Sequence, residues 1–192
     1  MNETPLCALA RKYGTDKGGR SEGHHYTPHY YSLLKDKPVK AMLEIGICGN
    51  RNIPNNRTGA SLFMWQEFFP DATIYGLDNE PKWLINTGHI VTALADQSSP
   101  ISLHAALDFL KCGQLDVIID DGSHMPDHQI ISMQTLLPSL RKNGLYFIED
   151  VACDPAVILK WLPPFYTAVA IPEKMVKTKD QSLIVIQHRA PG

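Results

Sequence analysis

Short apolar runs recur along the chain, and most of them close on a glycine or an acid. Residues 39–46 (VKAMLEIG), 73–77 (TIYGL), 89–94, 116–119 (DVII), 145–148, 166–171 and 182–187 read as seven strands. Between them the spacing predicts helices. One covers 61–69, with Ser61 as N-cap and Pro70 after its end. Others cover 101–110, 126–142 (stopped by Asn143-Gly144) and 156–162. Ahead of the first strand, a helix is expected near 4–13 and a second from about Thr27, with His24, His25, Tyr26, His29, Tyr30 and Tyr31 crowded together. Residues 50–59 read as a turn-rich loop. Continuously apolar strands alternating with helices imply a mainly parallel sheet covered on both faces. Right-handed crossovers make it a doubly wound α/β domain of seven strands, its last two forming a hairpin so that the last strand is antiparallel.

Length and composition narrow this picture. The 192 residues fit one domain, read as an N-terminal segment (1–37) and a core (38–192), with little room for a separate substrate domain. Hydrophobic residues at 44% and charged residues at 20% fit a globular chain and exclude disordered or fibrous classes. A net charge of −2 gives no electrostatic footprint for nucleic acid or an anionic membrane. No apolar run is long enough for a membrane span, and the first residues lack a signal peptide's apolar stretch. Cys7, Cys48, Cys112 and Cys153 are scattered, which points to a reducing cytoplasm rather than a disulfide framework.

In doubly wound sheets, ligands bind beyond the carboxyl ends of the strands. Here those ends carry Glu44, Gly46, Asp78, Asp96, Asp120, Asp121, Glu149 and Asp150. A structural sheet has no need of an acidic crown, because clustered carboxylates are costly unless paired or metal-bound.

One half of the crown suits a nucleotide. Glu44-x-Gly46-x-x-Gly49 is a strand running into a glycine turn, where Gly46 allows a ligand close to the backbone. Asp78 can accept from ribose hydroxyls, and Asp96-Gln97 can meet an adenine edge. Taken singly, each residue also reads as a turn glycine or a helix cap. In order, at consecutive strand ends, they resemble class I S-adenosylmethionine-dependent methyltransferases. A dinucleotide oxidoreductase is disfavoured because GxGxxG is missing.

The other half suits a metal. Asp120-Asp121-Gly122-Ser123-His124 follows the fourth strand, and Glu149-Asp150 closes the fifth. Adjacent strand ends set Asp121 beside Glu149 and Asp150, a hard oxygen set for Mg²⁺. His124 lies three residues beyond Asp121 and can act as general base on a metal-acidified hydroxyl, which then attacks the sulfonium methyl. Alone, each acid is as well explained by a cap or a solvated loop, and His124 by a surface turn. His104 and His128 read as surface helix positions.

The segments YGTDKGG, HHYTPHYYSLL, LEIGICG, TGASLFMWQEFFPDATIYGLD, ADQS, IIDDGSH and GLYFIED are similar to the metal-dependent sugar O-methyltransferases of macrolide and polyketide biosynthesis. The resemblance implies the Rossmann-like methyltransferase fold, S-adenosyl-L-methionine and Mg²⁺ as cofactors, and a sugar hydroxyl of a glycosylated natural product as acceptor. It implies metal ligands at Asp121, Glu149 and Asp150, His124 as base, and donor contacts around Glu44, Gly46, Ser61, Asp78, Asp96 and Gln97. Asp120 is assigned with these to the donor side. It also implies an N-terminal lid including Thr15-Asp16-Lys17 and His25-Tyr26. Such enzymes carry a further N-terminal domain and a longer segment after the Glu-Asp pair; here 42 residues follow Asp150, so acceptor-shaping parts are reduced. Three alternatives stay open: a catechol-type phenolic O-methyltransferase, a donor-binding auxiliary protein without turnover, and a homo-oligomer whose second copy completes the pocket.

Overall fold

Apolar alternation along the strands divides the interior into two layers, one on each side of a single sheet. The computed structural model describes residues 3–18, 24–48, 58–173 and 181–190. Its strands are β1 (Ala41–Ile45), β2 (Thr73–Asp78), β3 (Ile90–Leu94), β4 (Leu115–Asp120), β5 (Leu140–Val151), β6 (Tyr166–Glu173) and β7 (Gln181–His188). They form one sheet in the order β3-β2-β1-β4-β5-β7-β6. The first five are mutually parallel, and β7 runs antiparallel to both β5 and β6, as the apolar pattern predicts.

The helices are α1 (Pro5–Tyr13), α2 (Tyr26–Leu34), α3 (Ala60–Phe68), α4 (Pro100–Leu110), α5 (Pro126–Leu136) and α6 (Ala156–Leu159). On one face Met42, Val117, Ile119, Leu145 and Phe147 pack against α1–α3 through Leu6, Ala10, Tyr26, Tyr30, Leu62 and Trp65. On the other face Leu43, Ile45, Ile118, Tyr146 and Ile148 pack against Leu103, Leu107, Met133 and Leu136 of α4 and α5. Side chains alternate across a strand, so this division also fixes which face each strand-end acid meets.

Three boundaries differ from expectation. α5 ends at Leu136 rather than reaching residue 142. Pro138 lacks the N–H an α-helix needs and sits in a single 3₁₀ turn, Leu137–Ser139. Residues 140–144 instead open β5, where Leu140 pairs with Leu115. Gly144 is therefore no helix stop; a Cβ there would press within 2.8 Å of the Asp116 carbonyl across a register shift. The third concerns Ser61, which is inside α3 rather than capping it. Gly59, at φ 69°, takes the N-cap position and leaves Ser61 facing inward.

No helix among the described residues is long and apolar enough to cross a membrane. Among the described residues the four cysteines form no disulfide.

Candidate functional site

The strand order reverses between β1 and β4, where a doubly wound sheet opens a crevice. A cavity of about 540 Å³ lies there, lined by Gly46, Asp78, Asp96, Gln97, Asp121, Ser123, His124, His128 and Asp150, with Asp16, His24, Cys48 and Trp83 at its sides. Ser61 lines a recess of about 20 Å³ that shares Asp16, Gly46, Cys48 and Asp121 with it.

Gly46, at φ 83°, serves the chain itself. A Cβ there would overlap the Asp121 carbonyl and lie 2.9 Å from the Gly122 Cα. The close approach joins β1 to the turn after β4, where the Asp121 N–H donates to the Ile45 carbonyl (3.0 Å). Gly49 lies outside the described residues.

The acids expected on the donor side divide by which face of the sheet they meet. Glu44 shares a face with Met42, so it meets α3: Trp65 Nε1 donates to Glu44 Oε2 (3.0 Å), and the Ser61 hydroxyl also bonds its carboxylate. Burial pushes Glu44 above the usual carboxylate range, opposed by Lys17. Asp78 accepts from the Ile47 N–H (3.2 Å) and the Glu80 N–H (3.0 Å), pinning the chain after β1 at the cavity wall. Asp96 is at the rim, accepting from the Ser98 N–H (2.9 Å) and hydroxyl (2.6 Å).

Asp120 shares a face with Ile118 and turns under α5, fully buried and outside the cavity lining. It accepts from Ser132 Oγ and from Gln97 Nε2 (2.6 Å). The other end of the Gln97 amide, Oε1, accepts from the Ser123 N–H (2.9 Å). Asp120 and Gln97 therefore brace the DDGSH turn from behind. Gln97→Ala is expected to lower stability by about 2 kcal/mol, because it removes one hydrogen bond from the buried Asp120 carboxylate and leaves the Ser123 N–H without its acceptor; urea unfolding measures this.

Asp121, His124 and Asp150 converge. One ligand atom from each lies within 4.8 Å of the others. His124 Nε2 is 3.7 Å from Asp150 Oδ2, and its Nδ1 is buried without a hydrogen-bond partner. His124 (φ 59°) and Asp150 (φ 54°) both adopt the left-handed region, which non-glycine residues enter at a cost and which clusters at functional sites.

Glu149 lies beside them but is already engaged. Its Oε2 accepts from Lys17 Nζ (2.7 Å) and its Oε1 from the Tyr30 hydroxyl. Lys17 Nζ also bonds Asp121 Oδ2 and lies 3.4 Å from Glu44 Oε1. Asp150 accepts from the Tyr26 hydroxyl (2.7 Å), with His24 Nδ1 at 3.3 Å. Consecutive strand residues point to opposite faces. A register shift between Ile148 and Val151, with Asp150 left-handed, turns both acids toward α1 and α2. Burial pushes Glu149 up to about 7, with Lys17 pulling down and Asp150 pushing up. Burial and the neighbouring Glu149 hold Asp121 well above the usual range, against Lys17.

Sequence reading missed the holding role of Lys17, Tyr26, Tyr30 and His24. The available signal was Tyr26 and Tyr30 four residues apart, hence on one face of α2. It also missed His128, which lines the cavity and bonds the Ser123 hydroxyl through Nδ1 (2.8 Å).

The sheet order, with an acid-lined crevice at the switch point, defines the Rossmann-like methyltransferase fold, and a solved methyltransferase shares it. Within that class the chain is similar to sugar O-methyltransferases. It is 36% identical over 149 residues (76% of this chain) to the 8-demethyl-8-(2-methoxy-alpha-L-rhamnosyl)-tetracenomycin-C 3'-O-methyltransferase of Streptomyces olivaceus. It is 38% identical over 149 residues to the demethylmacrocin O-methyltransferase of Streptomyces fradiae, again over 76% of this chain. A solved structure of the MycE methyltransferase of the mycinamycin pathway, in complex with Mg, SAH and mycinamycin VI, superposes with a TM-score of 0.68. It is 36% identical, over 81% of this chain and 42% of that one. The chain spans 36% of the length of each of these two Streptomyces relatives. No family model matches it.

Proposed function

We propose that the chain carries out Mg²⁺-assisted methyl transfer from S-adenosyl-L-methionine to a hydroxyl of a small molecule, the acceptor being a sugar of a glycosylated natural product. The observation that carries this reading is the convergence of Asp121, His124 and Asp150 on one wall of the switch-point cavity. Its support from relatives is the likeness to sugar O-methyltransferases and to a structure containing Mg and SAH.

The donor set fits a hard divalent cation: two carboxylates face the cavity, a third lies directly behind, and an imidazole stands beside them. Asp121 and Asp150 would hold the ion, and Glu149 would join them if Lys17 gave up its carboxylate. Bound there, the ion would supply positive charge that acidifies an acceptor hydroxyl. His124 takes the hydroxyl proton as the oxygen attacks the donor methyl; the methyl–sulfur bond breaks, S-adenosylhomocysteine leaves, and the part-exposed imidazole passes the proton to solvent. Tyr26 and Tyr30 keep the carboxylates aimed, so that catalysis is mostly positioning and charge neutralisation. Across the cavity, Asp78 and Asp96 face the donor's nucleoside, with Glu44, Gly46 and Ser61 beneath its amino-acid end. Gln97 and Asp120 act on the donor through the turn they brace. We place the protein in the cytoplasm, as one domain in which residues 3–18 and 24–37 form the inner wall of the site.

The direct test pairs calorimetry against S-adenosylhomocysteine and NAD with a labelled methyl-transfer screen over glycosides, with and without Mg²⁺. Binding of NAD alone overturns the reading. His124→Ala is expected to lower kcat by about 10²–10⁴-fold with donor affinity retained; an unchanged kcat removes His124 as the base.

A further inference from the structure

Lys17 is 1% exposed and ends among three carboxylates. Its ammonium bonds Asp121 Oδ2 and Glu149 Oε2, the two acids that the proposed metal also needs, and faces Glu44 from behind. A lysine head is a compact point charge with three donors, so it can occupy the centre of an oxygen cluster much as a small cation does. The Tyr30 hydroxyl takes the remaining Glu149 oxygen, which leaves that carboxylate fully spoken for while Lys17 is in place. Asp121, His124 and Asp150 still converge on the cavity side. Two positive charges drawn to the same oxygens repel each other strongly where water is excluded.

We propose that Lys17 is the resident cation of this cluster: it positions Asp121 and Glu149 while no metal is bound and yields them to an entering divalent ion. Metal affinity is then set by competition with a side chain of the N-terminal segment. This rests on the metal-assisted reading above.

The experiment is Mn²⁺ titration followed by electron paramagnetic resonance, on wild type, Lys17→Met, Lys17→Arg and Lys17→Met/Glu149→Gln, each checked by circular dichroism. Lys17→Met keeps the length of the stem and removes the charge. It is expected to bind Mn²⁺ at least about tenfold more tightly than wild type. Lys17→Arg is expected to stay near wild type, and adding Glu149→Gln is expected to cancel the gain. The melting temperature of Lys17→Met is expected to rise more on Mg²⁺ addition than that of wild type. A folded Lys17→Met that binds Mn²⁺ equally or more weakly overturns the proposal, since a merely structural lysine predicts a loss. If Lys17→Met is unfolded without metal, excess Mg²⁺ is expected to restore its spectrum, and failure to do so also overturns the proposal. Absence of Mn²⁺ binding in both wild type and Lys17→Met removes the metal-assisted reading itself, and the proposal with it.

Discussion

Asp121→Asn is expected to lower Mg²⁺-stimulated methyl transfer by about 10³-fold or more. The substitution is nearly isosteric and keeps an oxygen that can still accept from Lys17, so the fold and the inner hydrogen bonds are preserved. What it removes is the one carboxylate shared by the cavity-side cluster and the Lys17 layer behind it. Binding of S-adenosylhomocysteine is expected to survive within a few-fold, because Asp78 and Asp96, proposed above to face the nucleoside, are untouched. Initial rates across a Mg²⁺ titration and after EDTA treatment check this. A variant that keeps full activity, or a wild type that EDTA does not inhibit, removes the metal from the mechanism.

Gly46→Ala is expected to be the most destabilising single-methyl change in the site, at about 4 kcal/mol or more. Two effects act together. The backbone sits at φ 83°, and the new Cβ would overlap the carbonyl of Asp121, which is backbone and cannot swing aside. Gly88→Ala separates them, because Gly88 is also left-handed (φ 57°) but a Cβ there meets nothing within 4 Å. Its expected cost is only the conformational one, about 1–2 kcal/mol. Urea unfolding of the two variants side by side gives the difference. Equal losses would show that Gly46 is required for its dihedral angle alone.

Much of the sheet was legible because burial on both faces leaves a strong mark: residues 117–119 (VII) and 145–148 (LYFI) are apolar without interruption, and a strand buried on both sides must be. The acidic crown was legible for the same reason, since each run ends on a residue that does not belong in a core. The α5–β5 boundary was hidden because Leu136, Leu137 and Leu140 suit a helix face as well as a strand, and only Pro138 marks the change. Asp120 was separable from the donor side by alternation alone: it shares a face with Ile118, and that face is covered by α5. Glu149 and Asp150 are the opposite case. Alternation sends neighbours to opposite faces, and it takes a register shift and a left-handed residue to bring both to one side. Nothing local announces either. The contact from Lys17 to Asp121 spans 104 positions, and chain separation of that kind leaves no periodic trace.

The way α1 and α2 are seated determines how ligands come and go. Leu6, Ala10, Tyr26, Tyr30 and Leu34 are each 0% exposed, and the hydroxyls of Tyr26 and Tyr30 are tied to the acids of β5. Swinging this segment outward would expose five apolar side chains and strand two carboxylates at once. That is too large a penalty to meet each time a ligand enters. A ligand of the cavity lined by Trp83, Asp96 and His24 is therefore expected to enter with this segment in place. An acceptor of the kind proposed above would need only its reacting ring inside the cavity, with the rest of the molecule left in solvent.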